Sequence, residues 1–179
     1  AKTPVRIEHI FASSDKKYAS KSANSQSAMV FTKEEDSFST AVQNWNAAAR
    51  AATGDLLFVI ADDLFPPDNW DETLEFLIGN QTPASSAFAL KIRDSTEDDT
   101  LLRHPIISRA FYQKYGLFDP RFKGVYCDND FTLMAFFSSV ILDGRILAFD
   151  HQHPAQAGSY LTSRSQAKNN RSMEYSYGQ

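Results

Sequence analysis

The sequence predicts an α/β fold, a three-layer α/β/α arrangement around a mostly parallel mixed sheet, and three observations predict it. Short apolar, β-branched runs alternate with helix-forming stretches along most of the chain, the pattern of strand–helix–strand units. One run, Leu56-Leu57-Phe58-Val59-Ile60, is continuously apolar and bounded by turn residues, as expected of a strand buried on both faces. The 179 residues, 42% hydrophobic and 13% aromatic, suit one domain with a substantial core.

Taken in order, Val5 to Ala12 mixes alternation with β-branched residues and predicts a strand, and Ala28 to Phe31 predicts a second. Asp36 or Ser37 is expected to cap a helix running to about Ala52, through the Ala-rich centre Ala47 to Ala52, with Gly54 as its stop. The Leu56–Ile60 strand then delivers Asp62 and Asp63 to its carboxyl end, and Pro66-Pro67 ends the extended run. Asp68 is placed to cap a helix over Asn69 to Ile78 that Gly79 closes. A strand is predicted over Ala87 to Ile92, followed by an acidic loop whose Asp94 to Asp99 portion reads as a solvated face. An extended piece runs from Leu101 to Ser108, and a short helix from Ser108 to Tyr115 is closed by Gly116. The turn Phe118 to Phe122, a helix over Asp128 to Val140, a turn at Asp143-Gly144 and a strand over Arg145 to Phe149 complete the series.

Charge and composition exclude several classes. The net charge is -4 and Lys and Arg are not clustered, so no nucleic-acid partner is expected. A single cysteine, Cys127, rules out a disulfide framework within the chain and points to a reducing compartment. No apolar run approaches transmembrane length and no signal-peptide pattern appears, so a cytoplasmic location is the expectation; homo-oligomer formation stays open. Residues 1–154 form the expected domain, and 155–179 are a polar tail rich in Ser, Asn and Gln.

Four groups of residues carry candidate chemistry. Asp62 and Asp63 fall where open parallel sheets bind ligands, beyond the strands' carboxyl ends. Adjacent carboxylates repel, and a hard cation such as Mg2+ or Mn2+ relieves that repulsion. The same acids could instead cap the turn before Pro66-Pro67. Asp128 and Asp130 begin a helix, where acids complement the dipole by a few tenths to about 1 kcal/mol whether or not they are catalytic. His151 and His153, two apart on an extended segment, project to one side, as a ligand and a supporting partner or as ordinary loop residues. Asp15, ending the first strand, reads on its own as an exposed turn acid. Trp45 and Trp70 read as packing residues.

In their order these motifs resemble a family 2 glycosyltransferase of the GT-A fold. The helix and turn Asn44-Trp45-Asn46-Ala47-Ala48-Ala49-Arg50-Ala51-Ala52-Thr53-Gly54-Asp55 is similar to that family's Asn-rich helix before an Ala-x-Gly-Asp turn. Phe58-Val59-Ile60-Ala61-Asp62-Asp63 resembles its strand ending in a DXD-type metal motif. Gly116-Leu117-Phe118-Asp119 is like its Gly-x-Phe-Asp segment, and Cys127-Asp128-Asn129-Asp130-Phe131 stands where it has Glu-Asp-x-Asp-Leu. The resemblance implies a metal-dependent, inverting transferase that moves a sugar from a nucleotide diphosphate donor, UDP-sugar favoured, to a hydroxyl of a glycan or other acceptor. Residues up to about 67 would form the nucleotide-sugar half and about 68–154 the acceptor half. Asp15, Asp62 and Asp63 would bind the donor. Asp63 with His151 or His153 would hold Mn2+ or Mg2+. Asp128 would be the base and Asp130 its support. The sequence departs from the family in lacking its opening strand and in placing Cys127 where an acid is usual. Both departures keep a rival reading in view, a non-catalytic nucleotide- or glycan-binding descendant of the same fold. A phosphatase of the Asp-x-Asp type ranks below both, because Leu64 occupies the second Asp position.

Overall fold

The computed structural model describes residues 6–13, 27–32, 39–61, 63–81, 86–94, 100–138 and 140–152. In chain order the elements are β1 (His9–Ser13), β2 (Ser27–Phe31), α1 (Ala41–Ala51), β3 (Leu56–Phe58), β4 (Leu64–Phe65), α2 (Trp70–Gln81), β5 (Ala89–Arg93), β6 (Ile106–Ser108), α3 (Arg109–Tyr115), α4 (Cys127–Phe137), β7 (Ile141–Ala148) and β8 (Asp150–His151). The main sheet has the order β3-β6-β5-β7, and β1-β2 and β4-β8 form separate two-stranded sheets.

The chain is therefore mixed α/β, and its sheet is more mixed than expected. β5 runs parallel to β7, but β6 is antiparallel to both β3 and β5. β6 is only Ile106-Ile107-Ser108, too short to announce its direction, yet all three residues are buried between two neighbours. The strand Leu56–Ile60 is likewise not buried on both faces. Leu57 and Val59 are core residues, whereas Leu56 is 36% and Ile60 50% exposed, because β3 stands at the end of the described strand order.

The core divides across this sheet by simple alternation. Leu57, Ala89 and Ile107 join one cluster with Val42 and Ala49 of α1, Phe111 of α3, and Phe131 and Ala135 of α4. Their neighbours Leu90, Ile92 and Ile106 join a second cluster with Leu74 and Leu77 of α2. Adjacent strand residues point to opposite faces, so α1, α3 and α4 cover one face and α2 the other. Aromatic rings knit each side. Trp45 meets Phe118 at 5.4 Å between centroids, and Phe131 meets both Phe118 and Phe111 at 5.6 Å. On the α2 side Phe58, Trp70 and Phe149 form a triad with centroids 5.2–6.1 Å apart. Each fully buried ring, such as Phe111 or Phe131, contributes about 1.5–3 kcal/mol.

Helix ends differ from expectation for local reasons. α1 starts at Ala41 under a Thr40/Gln43 capping box, each side chain bonded to the other's backbone N–H, so Asp36 and Ser37 are not its cap. It ends at Ala52 in an extended conformation, before Gly54 is reached. α2 runs through Gly79 to Gln81 instead of stopping there. α3 behaves as predicted: Ser108 Oγ accepts from the Phe111 N–H, and Gly116 takes φ +78° at the end. α4 stops at Phe137, short of Val140. The expected turn at Asp143-Gly144 lies inside β7. There the register against β5 slips between Lys91 and Arg93, and Gly144 lets Leu90 approach so closely that a Cβ would stand 2.5 Å from Leu90 Cδ2.

Two clamps tie the separated motifs together. Asn46 Nδ2 donates to the Phe118 carbonyl at 2.7 Å while its Oδ1 accepts from the Phe118 N–H at 3.1 Å, joining α1 to the segment after Gly116. Arg109 donates from Nε and Nη2 to the Gly54 carbonyl and from Nη2 to the Ala52 carbonyl, fixing the turn into β3. From the other side Glu8 accepts the Thr53 and Gly54 N–H groups, both at 2.6 Å. Among the described residues no helix is long and apolar enough to cross a membrane.

Candidate metal and donor site

Asp63 reaches its position through a pairing the sequence did not announce. β4 and β8 run antiparallel with Leu64 opposite His151 and Phe65 opposite Asp150. The Gln152 N–H donates to the Asp63 carbonyl at 2.8 Å, extending the pairing by one step. Leu64 and Phe149 are buried in the α2-side cluster and anchor both strands. Asp63 Oδ1 and His151 Nε2 are thereby held 3.4 Å apart, with the His151 side chain largely buried and Asp63 28% exposed.

The ring of His151 is oriented from behind. Its Nδ1 lies 3.0 Å from the backbone carbonyl of Asp94. A carbonyl can only accept, so Nδ1 carries the proton of that bond, and in the neutral ring Nε2 keeps a lone pair facing Asp63. Asp94 itself is 1% exposed. It was expected in a solvated acidic face; instead its carboxylate accepts from Lys91 Nζ at 3.1 Å and His104 Nδ1 at 2.9 Å, with Arg103 Nη1 at 3.6 Å. Burial pushes the Asp94 carboxyl up, but the His104 hydrogen bond and the Lys91 charge outweigh it and hold the group at about 2. His104 also meets His151 edge to face, centroids 4.9 Å apart.

The donor chemistry at Asp63 and His151 fits a divalent cation. Mg2+ and similar octahedral ions hold ligands at about 2.1 Å, which sets adjacent donors about 3 Å apart. The 3.4 Å between the carboxylate oxygen and the imidazole nitrogen is near that span. Among the described residues no group of three or more His, Cys, Asp or Glu could hold a metal. Asp62, His153 and Asp15, the remaining expected donor and metal residues, lie outside the described residues.

The second candidate group stands at the start of α4. Tyr126, with φ +69°, turns the chain into the helix. Asp128 Oδ1 accepts from the Asn129 N–H at 3.0 Å, and the Asp128 carbonyl accepts from Thr132 Oγ1 at 2.6 Å. Thr132 in turn accepts from the Leu102 N–H at 2.9 Å, pinning the helix to the extended piece before β6. Asp128 and Asp130 are both half-buried, and Arg121 lies close enough to Asp130 to feel its charge. Cys127 is buried; desolvation and the neighbouring Asp128 push its thiol up to about 12, so it is neutral at pH 7. Thus the structure joins Asp63 to His151 and places Asp128 and Asp130 together on a different element, packed into the other half of the core. Sequence reasoning missed Asp94, His104 and Lys91. Nothing in a polar stretch after a strand marks one acid as buried.

Comparison with known protein families, with curated proteins and with solved structures finds no match.

Proposed function

We propose that this chain is a metal-dependent glycosyltransferase of the GT-A type that takes a nucleotide diphosphate sugar, with UDP-sugar favoured, as donor. The observation that carries the reading is the apposition of Asp63 Oδ1 and His151 Nε2, 3.4 Å apart, beyond the end of β3. In this reading Asp63 and His151 would hold Mn2+ or Mg2+, with Asp62 and His153 as further donors and Asp15 on the nucleoside. A bound divalent cation would neutralise diphosphate oxygens and stabilise the leaving nucleotide. Asp128 accepts the proton of an acceptor hydroxyl as that oxygen attacks the anomeric carbon, and Asp130 orients the acceptor. Inversion at that carbon follows from a single displacement. The clamp of Asn46 on Phe118 supports the reading too, since it links two of the segments that carry the family resemblance.

Thermal denaturation with UDP alone and with UDP plus Mn2+ tests this. Wild type is expected to gain stability only when both are present, and Asp63→Ala to lose that gain. No shift under any condition would remove the support for a donor site. A second reading, a non-catalytic nucleotide- or glycan-binding protein of the same fold, is favoured by the neutral, buried Cys127, which lends Asp128 no acidic neighbour. Asp128→Asn separates the two: an enzyme loses donor hydrolysis and transfer while UDP binding persists, whereas a binding protein shows no turnover to lose.

A further inference from the structure

We propose that Asp94 is a positioning residue for His151, acting through its own backbone carbonyl. The proposal rests on the reading of Asp63 and His151 as cation donors. Asp94 directly follows β5, and its carboxylate is held on one oxygen by Lys91 and on the other by His104. The carbonyl of the same residue meets His151 Nδ1 at 3.0 Å, so the contacts that hold the Asp94 side chain also anchor the backbone that faces the ring. His104 closes the arrangement by packing its ring edge to face against His151. The imidazole is thereby held in the Nδ1–H tautomer with Nε2 aimed at Asp63. A buried ionic cluster is costly unless every member is partnered. Here no buried side-chain polar atom among the described residues lacks a partner, so the cluster meets that condition.

Nitrogen-15 NMR of the imidazoles, recorded above the ordinary histidine pKa on the metal-free full chain, reads the tautomer directly. Wild-type His151 is expected as Nδ1–H; finding it as Nε2–H would overturn the proposal without any variant. Asp94→Asn keeps the shape and removes the charge. It is expected to give a mixture of His151 tautomers and to weaken Mn2+ binding, measured by calorimetry with Mn2+ alone, by about 10–100-fold. Circular dichroism confirms that the variant is folded; if it is not, the wild-type tautomer decides. A folded variant with unchanged tautomer and unchanged Mn2+ affinity would overturn the positioning role while leaving the donor site intact. Wild type that binds no Mn2+ but shows the Nδ1–H tautomer, lost in Asp94→Asn, would sink the donor reading and keep the positioning one.

Discussion

Two groups of carboxylates invite functional interpretation, and they are built in opposite ways. At the corner formed by β4, β5 and β8, Asp94 is buried and engaged by Lys91, Arg103 and His104, and its carbonyl orients His151 toward Asp63. At the start of α4, Asp128 and Asp130 are half-buried, and Asp128 bonds within its own first turn. The corner is a chain of contacts spanning three strands. The helix start would look the same in any protein that complements a helix dipole. The lesson is that support from behind, more than the presence of acids, distinguishes a built site from a favourable helix end.

Alanine substitutions break the comparison most severely. Asp94→Ala removes the buried carboxylate that Lys91 and His104 both engage, and a loss of about 3–5 kcal/mol is expected in urea unfolding. For folding, Asp128→Ala removes a dipole-complementing acid and its exposed hydrogen bond to the Asn129 N–H, and is expected to cost about 1 kcal/mol or less. Equal losses would show that the two regions do not differ in the way their geometry suggests.

Acid sharpens the same contrast on a smaller scale. Asp94 has its folded pKa lowered from 3.8 to about 2. A depressed pKa gives stability that is complete above the unfolded value and is lost as pH falls through the folded one. This stabilisation is worth about 2 kcal/mol, present above roughly pH 4 and fading toward pH 2. Subtracting the profile of Asp94→Asn from that of wild type isolates it. A difference that does not change between pH 5 and pH 2 would contradict the ion cluster.

Much of the scaffold was legible in the sequence because it depends on local chemistry. The Ser108 cap and the Gly116 stop specified α3, and the apolar run before Asp62 located β3. Trp45 and Trp70 were read as packing residues, and their ring contacts agree. Features set by distant partners were not legible. Asp143-Gly144 carries every local mark of a turn, yet lies within β7 because Leu90 of the neighbouring strand needs the space. Gly79 sits inside α2, and Gly54 is passed only after α1 has ended. For the site, Asp63 and His151 could be nominated singly, but their contact depends on the two-residue pairing of β4 with β8. Asp94 was misread because its burial comes from Lys91, Arg103 and His104, which fold over it from β5 and from the segment before β6.

The most direct test of a cation held by Asp63 and His151 is anomalous scattering at the manganese edge, from crystals of the full chain grown with Mn2+ and UDP. The account predicts a single strong peak in bonding contact with Asp63 Oδ1 and His151 Nε2, adjoining the UDP diphosphate. A peak elsewhere, or UDP bound with no peak at that pair, would contradict it.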